Sequence, residues 1–93
     1  MSIYLTTLSS DKNDEAVITP ASGKKLCILL VCLENPAITD PNVQLKFGST
    51  VHYEAEPGSK MTTDKFVQGD TDQPLLLTGK SGVYVRVQYE EAT

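Results

Sequence analysis

One long apolar segment constrains the fold more than any other feature of the sequence. Between Lys25 and Glu34 the chain reads LCILLVCL, which is eight apolar residues without interruption. A membrane-spanning helix needs about 20 apolar residues, so this segment is too short to cross a bilayer. The whole chain has 93 residues, enough for one domain with a single thin core. The segment is therefore interpreted as a strand that is apolar on both of its faces.

Strand signals also dominate the rest of the chain. Short alternating or β-branched segments recur between polar turns, at residues 3–8, 16–19, 24–33, 43–47, 51–55, 66–67, 74–78 and 83–89. No window has the periodicity of an amphipathic helix, and parallel strands would need long crossovers. The sequence predicts an all-β single domain, an antiparallel β-sandwich or jelly roll of seven to eight short strands. Residues 1–10 are a candidate N-terminal arm.

The long strand has two apolar faces if its alternation is regular. One face holds Leu26, Ile28, Leu30 and Cys32, and the other holds Cys27, Leu29, Val31 and Leu33. Only one face of a strand can point into a two-sheet sandwich, and an exposed apolar patch usually marks an interface. We therefore predict an interface between identical copies, formed by Cys27, Leu29, Val31 and Leu33. The sequence does not decide which face is inward. The alternative is that the loop ENPAITDPN covers the patch with Ile38.

The two cysteines lie within this same strand. A separation of five residues places Cys27 and Cys32 on opposite faces of a regular strand, about 16 Å apart, which is too far for a disulfide. They are interpreted as small apolar side chains in a reducing compartment. The chain has no signal-peptide pattern, which predicts a protein that stays in a cytosol or leaves by lysis.

The sequence gives no support to catalysis or cofactor binding. The only histidine, His52, is expected at the surface, and it cannot complete a tetrahedral zinc site with two opposed cysteines. Ala16 stands where a calcium-binding EF-hand loop needs glycine. Pro74 stands where a phosphate-binding loop ending in Gly79-Lys80-Ser81 needs glycine. With a net charge of −4, the chain is not expected to hold nucleic acid or an anionic membrane nonspecifically. We predict no metal, no cofactor and no enzymatic activity.

Three motifs give the chain a family resemblance. They are ITPASGKKLCILLVCL, VQLKFGSTV and QPLLLTGKSGVYVRVQYEE, in this order. They resemble the entry to a long apolar strand, a central strand and a terminal strand in small β-sandwich structural proteins of tailed bacteriophages. The resemblance covers residues 17–91 and is a pattern of strands without a catalytic signature.

The resemblance implies a virion structural protein that is made in the host cytoplasm. It would be a trimeric capsid decoration or cement subunit, whose partners are its own copies and the major capsid protein or another virion protein. The segment Ile3, Tyr4 and Leu5 would be an arm that adds a strand to a neighbour. The alternative is a receptor- or carbohydrate-binding module of a fibre or tail. That module would expose four side chains on one concave face, namely Tyr53, Glu54, Tyr84 and Arg86.

Overall fold

A computed structural model describes residues 1–39 and 41–93, and this part of the chain contains nine strands and no helix. The strands are β1 (Ser2–Thr7), β2 (Lys12–Ile18), β3 (Lys25–Glu34), β4 (Val43–Phe47), β5 (Thr50–Ala55), β6 (Lys60–Thr63), β7 (Val67–Gln68), β8 (Leu75–Gly79) and β9 (Tyr84–Ala92). The predicted all-β domain is confirmed.

The strands form two antiparallel sheets with nested pairing. Sheet A has the order β1-β9-β3-β6, with β7 also paired to β3, and sheet B has the order β2-β8-β4-β5. The first strand pairs with the last and β2 with β8, while β3 pairs with β6 and β7, and β4 with β5. When β6 and β7 are counted as one interrupted edge, this is the winding of an eight-stranded jelly roll.

The polar edge strands are the elements that differ most from prediction. Strand β2 begins at Lys12, inside a segment expected to be a turn, and Lys60–Thr63 forms β6 where no strand was expected. Each lies at the edge of its sheet. An edge strand presents many side chains to water, so it lacks the apolar alternation that reveals a central strand. Asp14, at a left-handed φ of 50°, further breaks the pattern of β2.

The core lies between the two sheets and is filled from both. Its fully buried side chains include Leu26, Ile28, Val31, Leu33, Val43, Leu45, Leu75, Leu77, Val83, Val85 and Val87. Tyr53 of sheet B also links the two sheets. Its hydroxyl donates a hydrogen bond of 2.6 Å to the carbonyl of Lys65, which lies between β6 and β7 of sheet A. Burial raises the pKa of Tyr53 to about 12, so it remains a donor. Gly69 lies so close to Phe47 that an added Cβ would be 2.7 Å from the ring.

A β-bulge in β3 decides which side chains enter the core. Ile28 pairs with Tyr89 and Leu30 with Gln88, so Leu29 is an extra residue with no partner on β9. The inward series is therefore Leu26 and Ile28 before the bulge, then Val31 and Leu33 after it. The prediction of regular alternation along β3 was therefore wrong.

The bulge predicts that a charge destabilises the fold much more at Val31 than at the adjacent Cys32. Val31→Asp should destabilise the fold by about 3–5 kcal/mol, since it leaves an unpaired charge in the core. Cys32→Asp should cost less than about 1 kcal/mol, because its side chain faces outward beside Arg86. Thermal unfolding followed by circular dichroism measures both. Equal losses of stability, or a larger loss for Cys32→Asp, would contradict the bulge.

Candidate interaction surface

The four residues predicted to form an interface do not share one face. Val31 and Leu33 are completely buried in the core, whereas Cys27 and Leu29 lie on the other side of the strand or at the bulge. The bulge also overturns the placement of the cysteines on opposite faces. Cys27 pairs with Glu90 and Cys32 with Arg86, two residues on the same side of β9, so both thiols belong to the outer face of sheet A. Both cysteines are free.

The outer face of sheet A consists of short rows of side chains across its strands. The register gives the rows Thr7–Tyr84–Glu34–Lys60, Leu5–Arg86–Cys32–Thr62, Ile3–Gln88–Leu30 and Glu90–Cys27–Gln68. We call these side chains, with Leu29 at the bulge, the outer A face. Leu30 and Cys32 belong to it, although regular alternation would assign them to the opposite side from Cys27.

Apolar side chains are concentrated in the middle rows of the outer A face. Ile3 and Leu5 are 54% and 58% exposed, and Leu29 and Leu30 are partly exposed. Phe66, which lies between β6 and β7, is 57% exposed. Polar neighbours contribute weak contacts to the thiols, such as the hydroxyl of Thr62 at 3.4 Å from the Cys32 sulfur. A group of this kind on one sheet is typical of an interaction surface.

The charges of the outer A face nearly balance. Lys60 and Glu34 form an ion pair of 3.6 Å at one end. Arg86 and Glu90 lie on the same side of β9, four residues apart. The face therefore carries little net charge although the chain carries −4. A second copy could approach it without strong repulsion.

The outer face of sheet B differs, because its polar groups bond to one another. The Lys46 ammonium lies 2.8 Å from the Asp14 carboxylate, which also accepts a hydrogen bond of 3.0 Å from Thr78. The hydrogen bond with Lys46 is the main cause that lowers the pKa of Asp14. The Gln44 amide donates a hydrogen bond of 2.6 Å to the Glu54 carboxylate, and this bond is the main cause that lowers the pKa of Glu54. Leu76 and Val51, which is 39% exposed, also lie on this face, but these apolar side chains are less exposed than Ile3 and Leu5 on sheet A.

The loop that was the alternative cover for the apolar strand does not pack on it. Ile38, the side chain expected to provide the cover, is 94% exposed. The loop is instead fastened by Asn35, whose buried amide donates a hydrogen bond of 3.2 Å to the carbonyl of Ala55. The predicted loop includes Asp40, which lies outside the described residues.

The predicted arm residues Ile3, Tyr4 and Leu5 lie in β1, at the edge of their own sheet. All six residues of β1 pair with β9 of the same chain, from Ser2 with Tyr89 to Thr7 with Tyr84. In this structure the segment completes its own jelly roll and does not extend away from it. The carbohydrate-binding alternative loses its proposed face, because Tyr53 is buried and Glu54 belongs to sheet B, whereas Tyr84 and Arg86 belong to sheet A.

Other candidate chemistry is sparse in the part of the chain that the structure describes. There, no three or more His, Cys, Asp or Glu side chains cluster as a metal site would require. A cleft of about 120 Å³ is lined by Glu34, Asn35, Pro36, Gly58, Ser59 and Lys60. Within residues 1–39 and 41–93, no helix has the length and apolar character to cross a membrane.

Comparison with known protein families, with curated proteins and with solved structures finds no match to this chain.

One signal in the sequence could have revealed Leu30 and Cys32 as surface residues. Lys25 and Glu34 begin and end the long strand, and regular alternation places residues nine apart on opposite faces. One of these charges would then point into the core, at high cost. A single extra residue between them turns both outward, as the pairing with β9 shows.

His52 gives a pH-dependent prediction. Its ring meets Phe47 edge to face at 5.8 Å, and burial, with a smaller effect of Lys65, lowers its pKa below 6.5. The unfolded chain therefore binds a proton more readily, so the stability contributed by neutral His52 is complete above about pH 6.5 and decreases as the pH falls through that value. We expect a decrease in Tm of no more than about 4 °C between pH 7.5 and 5.5 from this ring, because it is only partly buried.

The matched control is His52→Gln, which cannot titrate. Its Tm should change less than that of the unaltered protein over the same pH interval. Identical pH profiles for the two proteins would show that the pKa of His52 does not differ between the folded and unfolded states.

Proposed function

We propose that the chain is a non-enzymatic structural subunit of a tailed-bacteriophage virion, which assembles with copies of itself as a capsid decoration or cement protein. Its further partner is the major capsid protein or another virion protein, and it is made in the host cytoplasm. The motif resemblance over residues 17–91 supports the viral assignment, and a jelly roll is a common fold of viral capsid domains.

The observation that carries the self-assembly proposal is the contrast between the two outer faces. Sheet B presents polar side chains that are already paired with one another, such as Lys46 with Asp14. Sheet A presents Ile3, Leu5 and Leu30 beside the partly exposed Cys32 and nearly balanced charges. The difference gives the molecule one side suited to water and one side suited to another protein surface.

Energetics favour covering the outer A face. Complete burial of a leucine or isoleucine side chain contributes about 1.5–3 kcal/mol relative to full exposure. Ile3 and Leu5 are still more than half exposed in the single chain, so burying them against another protein surface would contribute most of this free energy. A symmetric assembly repeats each such contact in every copy, and several weak contributions then sum to a stable contact.

A charge in the outer A face should dissociate the assembly without unfolding the chain. We expect Leu30→Asp to lower the native mass about threefold, which is the copy number that the phage resemblance implies. Leu76→Asp is the matched control, because Leu76 is a partly buried leucine on the outer face of sheet B beside Lys46. Size-exclusion chromatography with light scattering gives the mass, and circular dichroism confirms folding.

The proposal fails if folded Leu30→Asp keeps the native mass of the unaltered protein, or if Leu76→Asp lowers that mass equally. The virion assignment has a separate test, which is mass spectrometry of gradient-purified particles from the virus that encodes the chain. The chain should be abundant in the particles. Its presence only in the particle-free lysate would reject the assignment and leave self-assembly untouched.

A further inference from the structure

Strand β1 is the one edge of the two sheets, over the described residues, without any device against pairing. Edge strands normally avoid other strands by means of charges, prolines, bulges or interruptions. The sequence of β1, SIYLTT, has no charge and no proline, and its register with β9 is continuous over all six residues. Its exposed backbone groups therefore form an open template for another strand.

The other three edges are each interrupted. Strand β2 contains two register shifts and the ion pair of 2.6 Å between Lys12 and Glu15. Strand β5 contains the extra residue His52, since Leu45 pairs with Tyr53 but Lys46 pairs with Val51. The remaining edge is divided into β6 and β7. This contrast distinguishes β1 from every other edge in the described part of the fold.

The hydrogen bonds identify which backbone groups of β1 are unused. The Leu8 amide donates a bond of 2.9 Å to the carbonyl of Val83, in the same register that runs through β1. Bonding alternates along an antiparallel pair, so the amides of Tyr4 and Thr6 also point toward β9. The amides and carbonyls of Ile3, Leu5 and Thr7 point away from it, toward the open edge.

We propose that the open edge of β1 pairs antiparallel with β1 of a second copy of this chain, about a two-fold axis. A two-fold axis beside Tyr4 places Ile3 of one copy opposite Leu5 of the other, so apolar side chains meet in both halves of the contact. Because β1 is uncharged, self-pairing brings no like charges together. The inward and outward sides of the two sheets match in this register, since Ile3 and Leu5 both point outward.

This inference rests on the proposed self-assembly and adds a second, separate contact to it. The outer A face joins copies through side chains, whereas the β1 edge joins them through backbone hydrogen bonds. A two-fold contact doubles the assembly that the outer A face makes. If that assembly is a trimer, two trimers join with dihedral symmetry.

Amide hydrogen exchange of the unaltered protein, measured residue by residue by NMR, tests the edge pairing directly. We expect the amides of Ile3 and Leu5 to be protected as strongly as those of Tyr4 and Thr6, which are bonded within the chain and serve as internal controls. An oligomer in which Ile3 and Leu5 exchange freely while Tyr4 and Thr6 are protected would overturn the edge pairing and leave the proposed function standing. A monomer with this same pattern would overturn both.

A substitution gives the second test. Proline is tolerated at an edge position whose amide faces outward, so Leu5→Pro should remove the donor without breaking a bond to β9. Leu5→Ala is the matched control, because it loses the same leucine side chain but keeps the amide. We expect the native mass of Leu5→Pro to be half that of Leu5→Ala at the same concentration, and equal masses for the two folded variants would contradict pairing through the backbone. The exchange measurement decides the question if Leu5→Pro does not fold.

Discussion

The extra residue Leu29 in β3 is the constraint on which the rest of the structure depends. It reverses the alternation of the longest apolar strand halfway along, so Leu26 and Ile28 on one side of it and Val31 and Leu33 on the other all reach the core. The most apolar residues of the chain thereby enter one interior, even though the strand is apolar on both faces. What remains on the outer face of β3 is a smaller set that includes Leu30, Cys32 and the buried Cys27.

The outer surfaces of the two sheets differ in whether their side chains have partners within the chain. On sheet B, hydrogen bonds and an ion pair hold Lys46, Asp14 and Thr78 together, and water can solvate what is left. On sheet A, the apolar side chains have no comparable partners within the described residues, and the adjoining edge at β1 has unused backbone groups. Both kinds of unsatisfied surface lie on the same side of the molecule. This coincidence is the physical basis for the proposed assembly, in which copies meet through sheet A.

The sequence predicts the fold class well because buried residues alternate regularly along central strands such as β4 and β8. Val43–Phe47 and Leu75–Gly79 alternate in the core and were expected within one or two residues of their observed bounds. The edge strands β2 and β6 could not be recognised in the same way, because their side chains face water. The bulge at Leu29 is a property of pairing with β9, so local alternation could not reveal it. The interface prediction relied on regular alternation and therefore placed Val31 and Leu33 on an outer face, whereas both are buried in the core.

The central claim is that this jelly roll does not exist alone in solution, because the side chains on one sheet require a second protein surface. Sedimentation velocity of the unaltered protein at low micromolar concentration, repeated from about 0.1 to 1 M salt, tests it most directly, since apolar contacts are not screened by salt. The account predicts a mass of several chains that is unchanged across the salt series. A compact species with the mass of one folded chain at every salt concentration would contradict it.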